Sequence, residues 1–230
     1  MLLLSLHSRR PSLQPSFLAI LRSSPYLLLT PPLLALLLAF ADPIKYFQKP
    51  EDKTAPMYVA NHASWMDIPY LGAAIGWRNY KIVAKKELTK VPILGQSILL
   101  GGHVTLDRSN RRSQIKTIKD GISWLKQGVP LCAFPEGTRS KTGRIMPFKR
   151  GAFKMASSAG ADIIPLSIVG SAKIMPAGWV MPMRPSRSVP ARVIVHPPIS
   201  SEGKDEKELT REVREAIISG LPEDQRPADL

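Results

Sequence analysis

Two short apolar segments of this 230-residue chain end in polar motifs, and this arrangement limits the fold more than any other feature. The histidine motif, residues 61–67 (NHASWMD), follows the apolar residues 57–60. The arginine motif, residues 134–140 (FPEGTRS), follows an apolar run that begins at residue 129. Short buried runs of this kind are typical of strands in α/β proteins, which bind ligands where strands end. The sequence therefore predicts that its chemistry lies at strand ends.

Strands and helices are predicted to alternate along the chain. Isoleucine and leucine at three- and four-residue spacing predict a helix over residues 111–127, which Gly128 would end. By the same criteria, we predict strands over 57–60, 80–84, 129–134, 163–169 and 191–196, and helices over 151–159 and 207–219. This alternation favours an α/β fold with a central mixed sheet flanked by helices.

The chain divides by composition into four parts. Residues 1–25 belong to an acid-free, serine- and arginine-containing start that is typical of a transit peptide. Residues 26–45 are largely apolar but are broken by two prolines, which favours a kinked or monotopic membrane-associating segment over a clean span. A removed leader, or a first helix packed in the core, stays open as an alternative. Residues 46–200 form the predicted main domain, and residues 201–230 form a charged C-terminal tail with a helix.

The net charge of +14 is unevenly distributed. Residues 1–200 carry 27 Lys or Arg against 9 Asp or Glu, whereas the tail carries 5 against 9. A basic body favours an anionic partner, such as a phospholipid surface, a phosphorylated small molecule, an acidic carrier protein or nucleic acid. Aromatic content of only 7%, without a stacking motif, is evidence against nucleic acid. The single cysteine, Cys132, excludes an internal disulfide.

His62 and Asp67 are the predicted catalytic residues. An aspartate that accepts a hydrogen bond from one ring nitrogen fixes the tautomer, which leaves the other nitrogen to act as a general base. The alternative from the residues alone is a histidine that caps a turn, with Asp67 as a helix N-cap. A serine hydrolase is a poorer interpretation, because Ser64 is only two residues from His62 and no G-x-S-x-G motif occurs. Ser64 is instead predicted to hydrogen-bond within the turn.

The arginine motif contains the predicted anion-binding residues. Arg139 can bind a phosphate through two nitrogens, and Thr138 and the Gly137 amide can add hydrogen bonds. Glu136 is predicted to hold Arg139 or a substrate hydroxyl, since its own charge repels an anion. The alternative is a surface turn with an internal Glu–Arg pair. Lys85, Lys86 and Arg108 could supply further phosphate contacts or be solvated, whereas Lys149, Arg150 and Lys154 could serve an acidic partner or keep the protein soluble. No metal-binding pattern is present in the sequence.

Together these motifs resemble the glycerophospholipid acyltransferase family, most closely its 1-acylglycerol-3-phosphate acyltransferases of the bacterial and plastid type. The resemblance extends from residue 58 to residue 199. It rests on the ordered segments 61–67, 86–88 with Pro92 and Gly95, 107–108, 134–140, 148–152 and 164–165. The chain departs from the family pattern at Ala63, where Gln is common, and over residues 92–95, which read PILG in place of PFFG.

The resemblance implies the family's fold and transfer of an acyl group from a thioester to the 2-hydroxyl of lysophosphatidate, without an acyl-enzyme. It implies that His62 takes the hydroxyl proton and that Asp67 orients His62. The glycerol phosphate would be held by Glu136, Gly137, Thr138 and Arg139, with Arg108 as a further candidate. Family members need no metal or organic cofactor.

Several partners and alternatives follow from this resemblance. The donor would be acyl-CoA or acyl carrier protein, and an apolar groove beside the sheet is expected to admit the fatty chain from a membrane phospholipid surface. The plastid-type motifs and the acid-free start together favour a plastid membrane. Glycerol-3-phosphate or another lysophospholipid is the alternative acceptor. A thioesterase, or a non-catalytic basic protein that binds lipid surfaces, is the rival from another class.

Overall fold

A six-stranded mixed sheet forms the centre of the fold. The computed structural model describes residues 54–76, 80–179 and 190–228. Its strands are β1 (Met57–Ala60), β2 (Lys81–Lys85), β3 (Val104–Leu106), β4 (Leu131–Ala133), β5 (Ile163–Val169) and β6 (Arg192–Val195). They are ordered β3-β2-β4-β1-β5-β6, and β6, antiparallel to β5, makes the otherwise parallel sheet mixed. The predicted mixed α/β fold is confirmed.

Helices and short 3-10 turns connect the strands. The helices are α1 (Asp67–Ala74), α2 (Leu94–Leu100), α3 (Arg111–Lys126), α4 (Gly151–Ala159), α5 (Ser171–Ile174) and α6 (Glu206–Gly220). The 3-10 helices are Lys86–Lys90 and Glu223–Gln225. The predictions for α3, α4 and α6 are confirmed within a residue or two, whereas α1, α2, α5 and β3 were not predicted. The predicted segments 1–25 and 26–45 lie outside the described residues.

The register of β1 brings the two motifs together. Met57 is paired with Leu131 on one side and with Ile163 on the other, and all three side chains are fully buried. Farther along, Val59 is opposite Ala133, so β1 and β4 run in parallel and end at nearly the same level. The histidine motif therefore leaves β1 beside the point where the arginine motif leaves β4.

The charged C-terminal tail contributes to the main core. Asp205 caps α6 by accepting hydrogen bonds from the amides of the second and third residues that follow it. Along α6, Leu209, Val213 and Ile217 recur every four residues, and all three are fully buried in the cluster that contains Phe153. The tail helix is thus packed against the sheet domain. Within the described part of the chain, no helix is both long enough and apolar enough to cross a bilayer.

Replacement of Ile217 by alanine tests this packing. Because Ile217 is fully buried, Ile217→Ala is expected to lower the free energy of unfolding by about 2–5 kcal/mol. Glu215→Ala, on the exposed face of the same helix, is the matched control and should change it by less than about 0.5 kcal/mol. Urea unfolding measures both variants, and equal small effects would show that α6 contributes little to the core.

Candidate functional site

A buried carboxylate holds the histidine motif in place. His62 lies two residues beyond β1, and its Nδ1 is 2.8 Å from Oδ2 of Asp67, the first residue of α1. The same oxygen accepts hydrogen bonds from the amides of Ala63, at 2.7 Å, and Ser64, at 2.8 Å. Since a carboxylate accepts, Nδ1 carries the proton, and Nε2 of neutral His62 is left as the unprotonated nitrogen.

The hydroxyl of Ser64 is used in structural hydrogen bonds. It donates to the carbonyl of Met175 at 2.6 Å and accepts from the amide of Met66 at 3.0 Å. Ser64 is fully buried. The predicted bond within the turn is present, and the longer-range bond to Met175 ties the motif to the segment after α5. This geometry does not offer Ser64 as a nucleophile.

Glu136 connects the two motifs through backbone amides. Its Oε1 accepts from the His62 amide at 2.7 Å and its Oε2 from the Met146 amide at 3.0 Å, and the residue is only 3% exposed. Phe134 adds a second contact between the motifs, because its ring stacks on the His62 ring with centroids 4.2 Å apart. Glu136 therefore directs both carboxylate oxygens at the backbone rather than at Arg139.

Burial also changes the protonation of Glu136. Removal from water raises its pKa from 4.5 to about 8, although the two amide hydrogen bonds act in the opposite direction. At neutral pH the folded protein can thus hold a proton on a carboxyl group that directly supports the histidine motif.

A cavity of about 530 Å³ opens beside His62. Most of its wall is apolar and comes from the sheet and the helices next to it, including Ile68, Ile82, Leu88, Ile98 and Ile118. This cavity is the apolar groove that was expected beside the sheet. Four cationic side chains also line it: Lys85, Arg108, Arg139 and Lys149. Within the described part of the chain, none of these four forms an ion pair with a carboxylate.

Each of the two arginines has one buried nitrogen without a hydrogen-bond partner among the described residues. The Arg139 guanidinium lies 4.5 Å from the centre of the Trp65 ring, and its buried Nη1 has no hydrogen-bond partner among the described residues. Arg108 donates from Nη2 to the carbonyl of Gly137, while its buried Nε also lacks a partner there. Burial lowers the pKa of Arg139, an effect that the charge of Asp67 partly offsets.

Gly137 allows Arg108 to approach the backbone. Its φ is +75°, in the region that favours glycine, and an added Cβ would lie 2.5 Å from Nη2 of Arg108. Thr138, next in the motif, is exposed and lines the cavity. Lys149 lies close enough to Arg108 and Lys85 for their charges, together with burial as the main cause, to lower its pKa. The cavity thus concentrates positive charge that a bound anion would relieve.

Two supporting residues were not predicted. Asn61 accepts from the amide of Ile168 at 2.8 Å and donates to its carbonyl at 3.0 Å, which fixes the start of the histidine motif against β5. The buried Gln225 accepts from the Gly170 amide at 2.9 Å through Oε1, and its carbonyl accepts from the Ile145 amide at 2.9 Å. Gln225 is a single residue in a charged segment, so no periodicity could have identified it.

The described residues contain no group of three or more His, Cys, Asp or Glu side chains that could hold a metal ion. His62, Gly137, Thr138, Arg139 and Arg108 all line the same cavity, Asp67 contacts His62 from behind, and Glu136 lies beneath the motif.

The fold and the sequence of this chain are those of the acyltransferase family. The acyltransferase family model matches residues 45–169, more than half of the chain, and the protein belongs to that family. The 1-acyl-sn-glycerol-3-phosphate acyltransferase of Chlamydomonas reinhardtii is 36% identical over 173 residues, which cover 75% of this chain and 50% of that protein. A chloroplastic 1-acyl-sn-glycerol-3-phosphate acyltransferase of Brassica napus is 37% identical over 156 residues, covering 68% and 44%. The chain spans about half the length of these relatives.

A solved structure shows the same architecture. The crystal structure of PlsC, the 1-acyl-sn-glycerophosphate (LPA) acyltransferase from Thermotoga maritima, superposes with a TM-score of 0.60 at 32% sequence identity. The superposition covers 75% of this chain and 66% of that one. The likeness therefore includes the greater part of both chains.

The protonation of Glu136 gives a pH-dependent prediction. Its raised pKa means that the folded protein keeps a proton that the unfolded chain releases between pH 4.5 and about 8. The contribution of this group to stability therefore falls as the pH rises through that interval, by at most about 1.4 kcal/mol per pH unit. Glu136→Gln removes this titration, so the stability of the variant relative to wild type should increase from pH 5 to pH 8.

Urea unfolding at pH 5, 6.5 and 8 measures this difference. In Glu136→Gln, the side-chain NH₂ group faces one of the two backbone N–H donors, which lowers the free energy of unfolding by about 1–3 kcal/mol at every pH. Only the change of the stability difference with pH therefore tests the raised pKa. Glu215→Gln, on the exposed face of α6, is the control without a trend. A constant difference between Glu136→Gln and wild type would contradict the raised pKa.

Proposed function

We propose that this protein transfers a fatty acyl group from a thioester to the 2-hydroxyl of 1-acyl-glycerol-3-phosphate and thereby forms phosphatidate. The observation that carries this proposal is one cavity with three features. It has an oriented histidine, an apolar wall suited to a fatty chain, and cationic side chains without an ion-pair partner among the described residues. The names of the Chlamydomonas, Brassica and Thermotoga relatives support the same reaction.

In this mechanism, Nε2 of His62 removes the proton of the acceptor hydroxyl as its oxygen attacks the thioester carbonyl. The tetrahedral intermediate collapses by breaking the carbon–sulfur bond, and the thiolate takes the proton from the imidazolium. Asp67 accepts the Nδ1 hydrogen bond throughout, so it keeps the ring oriented and stabilises its positive charge. The acyl group passes directly to the acceptor, without an acyl-enzyme.

The phosphate of the acceptor is proposed to bind among Arg108, Arg139 and Lys149, with hydrogen bonds from Thr138 and the Gly137 region. The unpartnered Nε of Arg108 and Nη1 of Arg139 are the donors that such an anion would satisfy. Lys85 lines the same cavity and adds charge. Glu136 acts differently from the role that the resemblance implied: we assign it to positioning His62, because both its oxygens accept backbone hydrogen bonds.

The proposed donor is acyl-CoA or acyl carrier protein, since the phosphates of the first and the acidic surface of the second both suit a basic body. A plastid membrane is the proposed location, which the chloroplastic Brassica relative supports.

Glycerol-3-phosphate and other lysophospholipids are the alternative acceptors, because they contain the same phosphate and hydroxyl groups that this site is proposed to bind.

Removal of the proposed base should nearly abolish transfer. His62→Ala is expected to lower the rate of phosphatidate formation by on the order of 10²- to 10⁴-fold, since His62 is the only histidine among the described residues that line the cavity. Radiolabelled transfer to 1-acyl-glycerol-3-phosphate in lipid vesicles, with acyl-CoA and acyl carrier protein offered separately, measures this effect and identifies the donor. Ser64→Ala is the control and should retain transfer.

Three outcomes of this assay would contradict the mechanism. An acyl group trapped on the protein and lost in Ser64→Ala, detected by mass spectrometry, would indicate a serine nucleophile. Release of free fatty acid without added acceptor would indicate a thioesterase. Folded wild-type protein without turnover on any of the three acceptors would favour the non-catalytic rival.

The proposed phosphate contacts can be tested through substrate affinity. Lys149→Ala removes a cation from the cavity, so KM for 1-acyl-glycerol-3-phosphate is expected to rise by roughly tenfold or more, the value of one charge-assisted hydrogen bond. Lys154→Ala, which removes a charge on the exposed side of α4, is the matched control and should leave KM nearly unchanged. An unchanged KM in Lys149→Ala would place the phosphate elsewhere.

A further inference from the structure

Helix α2 has its apolar side chains on the outside as well as the inside. Within residues 91–100, which contain no charged residue, the exposed members are Val91, Pro92, Ile93, Gln96, Leu99 and Leu100. Leu99 is 64% exposed and Leu100 is 89% exposed. Positions 93, 96 and 100 recur at three- and four-residue spacing, so they share one face of the helix. We call Val91, Ile93, Leu99 and Leu100 the α2 apolar face.

Among the described residues, the exposed apolar side chains of this surface are not accompanied by charged ones on α2. A water-facing helix normally presents polar or charged side chains, and the exposed side of α2 has only Gln96. Ile93, at the start of the helix, has a φ of +69°, which is rare for a β-branched residue, and its side chain is still partly exposed. Clustered exposed apolar residues mark surfaces that bind another apolar phase or molecule.

The charge beside the α2 apolar face identifies the kind of partner. Three lysines, Lys85, Lys86 and Lys90, are exposed in the residues that lead into α2, against one exposed carboxylate there, Glu87. Lys86 is also 3.4 Å from Asp107, which leaves a net positive charge on this stretch. Lysines beside an apolar surface are suited to a bilayer interface, where the stems contact apolar material and the ammonium groups reach anionic headgroups. A second copy of the same basic protein would bring like charges together at such a contact.

The opposite side of the same elements forms part of the site. Ile98 on α2 and Leu88 in the preceding 3-10 helix both line the cavity that contains His62. Only this thin layer therefore separates the α2 apolar face from the space proposed for the fatty chain. A bilayer in contact with this face would lie next to the cavity that its lipids must enter.

We propose that the α2 apolar face, together with the lysines of residues 85–90, docks this protein on an anionic lipid bilayer. The proposal rests on the proposed function, because that function requires a lipid substrate to enter this cavity. It adds the protein surface that would contact the bilayer. Contact with the bilayer buries Leu99 and Leu100 in the acyl-chain boundary and places the three lysines at the headgroups.

Site-specific fluorescent labelling tests directly whether the α2 apolar face enters the bilayer. The only native cysteine, Cys132, is fully buried, so Leu100→Cys introduces a single accessible thiol for an environment-sensitive fluorophore. Addition of phosphatidylglycerol-containing vesicles to the full chain should shift the emission to the blue and make it sensitive to quenchers placed in the acyl chains. The same label at Ile115→Cys, an exposed apolar position on α3, is the matched control and should not respond.

Vesicle sedimentation supplies the second measurement. Leu99→Ser/Leu100→Ser should weaken binding to phosphatidylglycerol vesicles by on the order of tenfold or more, because two leucines no longer enter the bilayer. The control Ile115→Ser/Val195→Thr removes two exposed apolar groups elsewhere and should bind like wild type. Binding should also fall at high salt and on uncharged phosphatidylcholine vesicles, as expected for the lysines.

Three results would overturn the proposal. An emission already shifted to the blue without vesicles would show that the chain covers this face itself. A shift that follows protein concentration rather than lipid would show a contact between copies. Unchanged vesicle binding by Leu99→Ser/Leu100→Ser would place the docking surface elsewhere.

A separate assay distinguishes failure of the docking proposal from failure of the proposed reaction. Acyl transfer to a short-chain lysophosphatidate, below its critical micelle concentration, needs no bilayer. Both double variants should therefore retain this transfer.

Discussion

One carboxylate oxygen, Oδ2 of Asp67, organises the loop at the end of β1. It accepts hydrogen bonds from the His62 ring and from the amides of Ala63 and Ser64 in a fully buried position. Hydrogen bonds compensate a buried carboxylate for lost hydration, and these three bonds, all to Oδ2, hold the backbone in a tight loop around it. The other oxygen, Oδ1, is buried without a hydrogen-bond partner among the described residues. The orientation of His62 is therefore coupled to the hydrogen bonding of Oδ2. The proposed base is held ready before any substrate binds.

A second carboxylate supports the same loop from below. Glu136 accepts from the His62 amide and the Met146 amide, so the arginine motif fixes the histidine motif as well as lining the cavity. On the other side, Asn61 binds both backbone groups of Ile168 in β5. The backbone around the proposed base is thus fastened to both neighbouring strands. Among the described residues, Nε of Arg108 and Nη1 of Arg139, in contrast, are buried without a hydrogen-bond partner.

The sequence predicted the larger part of the fold because its signals are local. Apolar runs and helical spacing indicated five of the six strands and helices α3, α4 and α6. The missed elements are short or atypical: β3 has only three residues, and the outward apolar side chains of α2 hide its amphipathic pattern. The role of Glu136 could not be read from sequence, since the residue that it holds is 74 positions away. Gln225 is likewise 55 positions away from Gly170, the residue after β5 whose amide it binds.

By itself, the sequence determined the alternation of strands and helices, the placement of both motifs after strands and the basic body, and it offered the pairing of His62 with Asp67 beside a turn cap as the alternative. Each of these depends on residue type and short-range spacing. Only the tertiary structure decided that Arg108, Arg139 and Lys149 line one cavity with His62, that Glu136 serves the backbone, and that α2 exposes its leucines. These features depend on strand order and packing between distant segments, which no local pattern encodes.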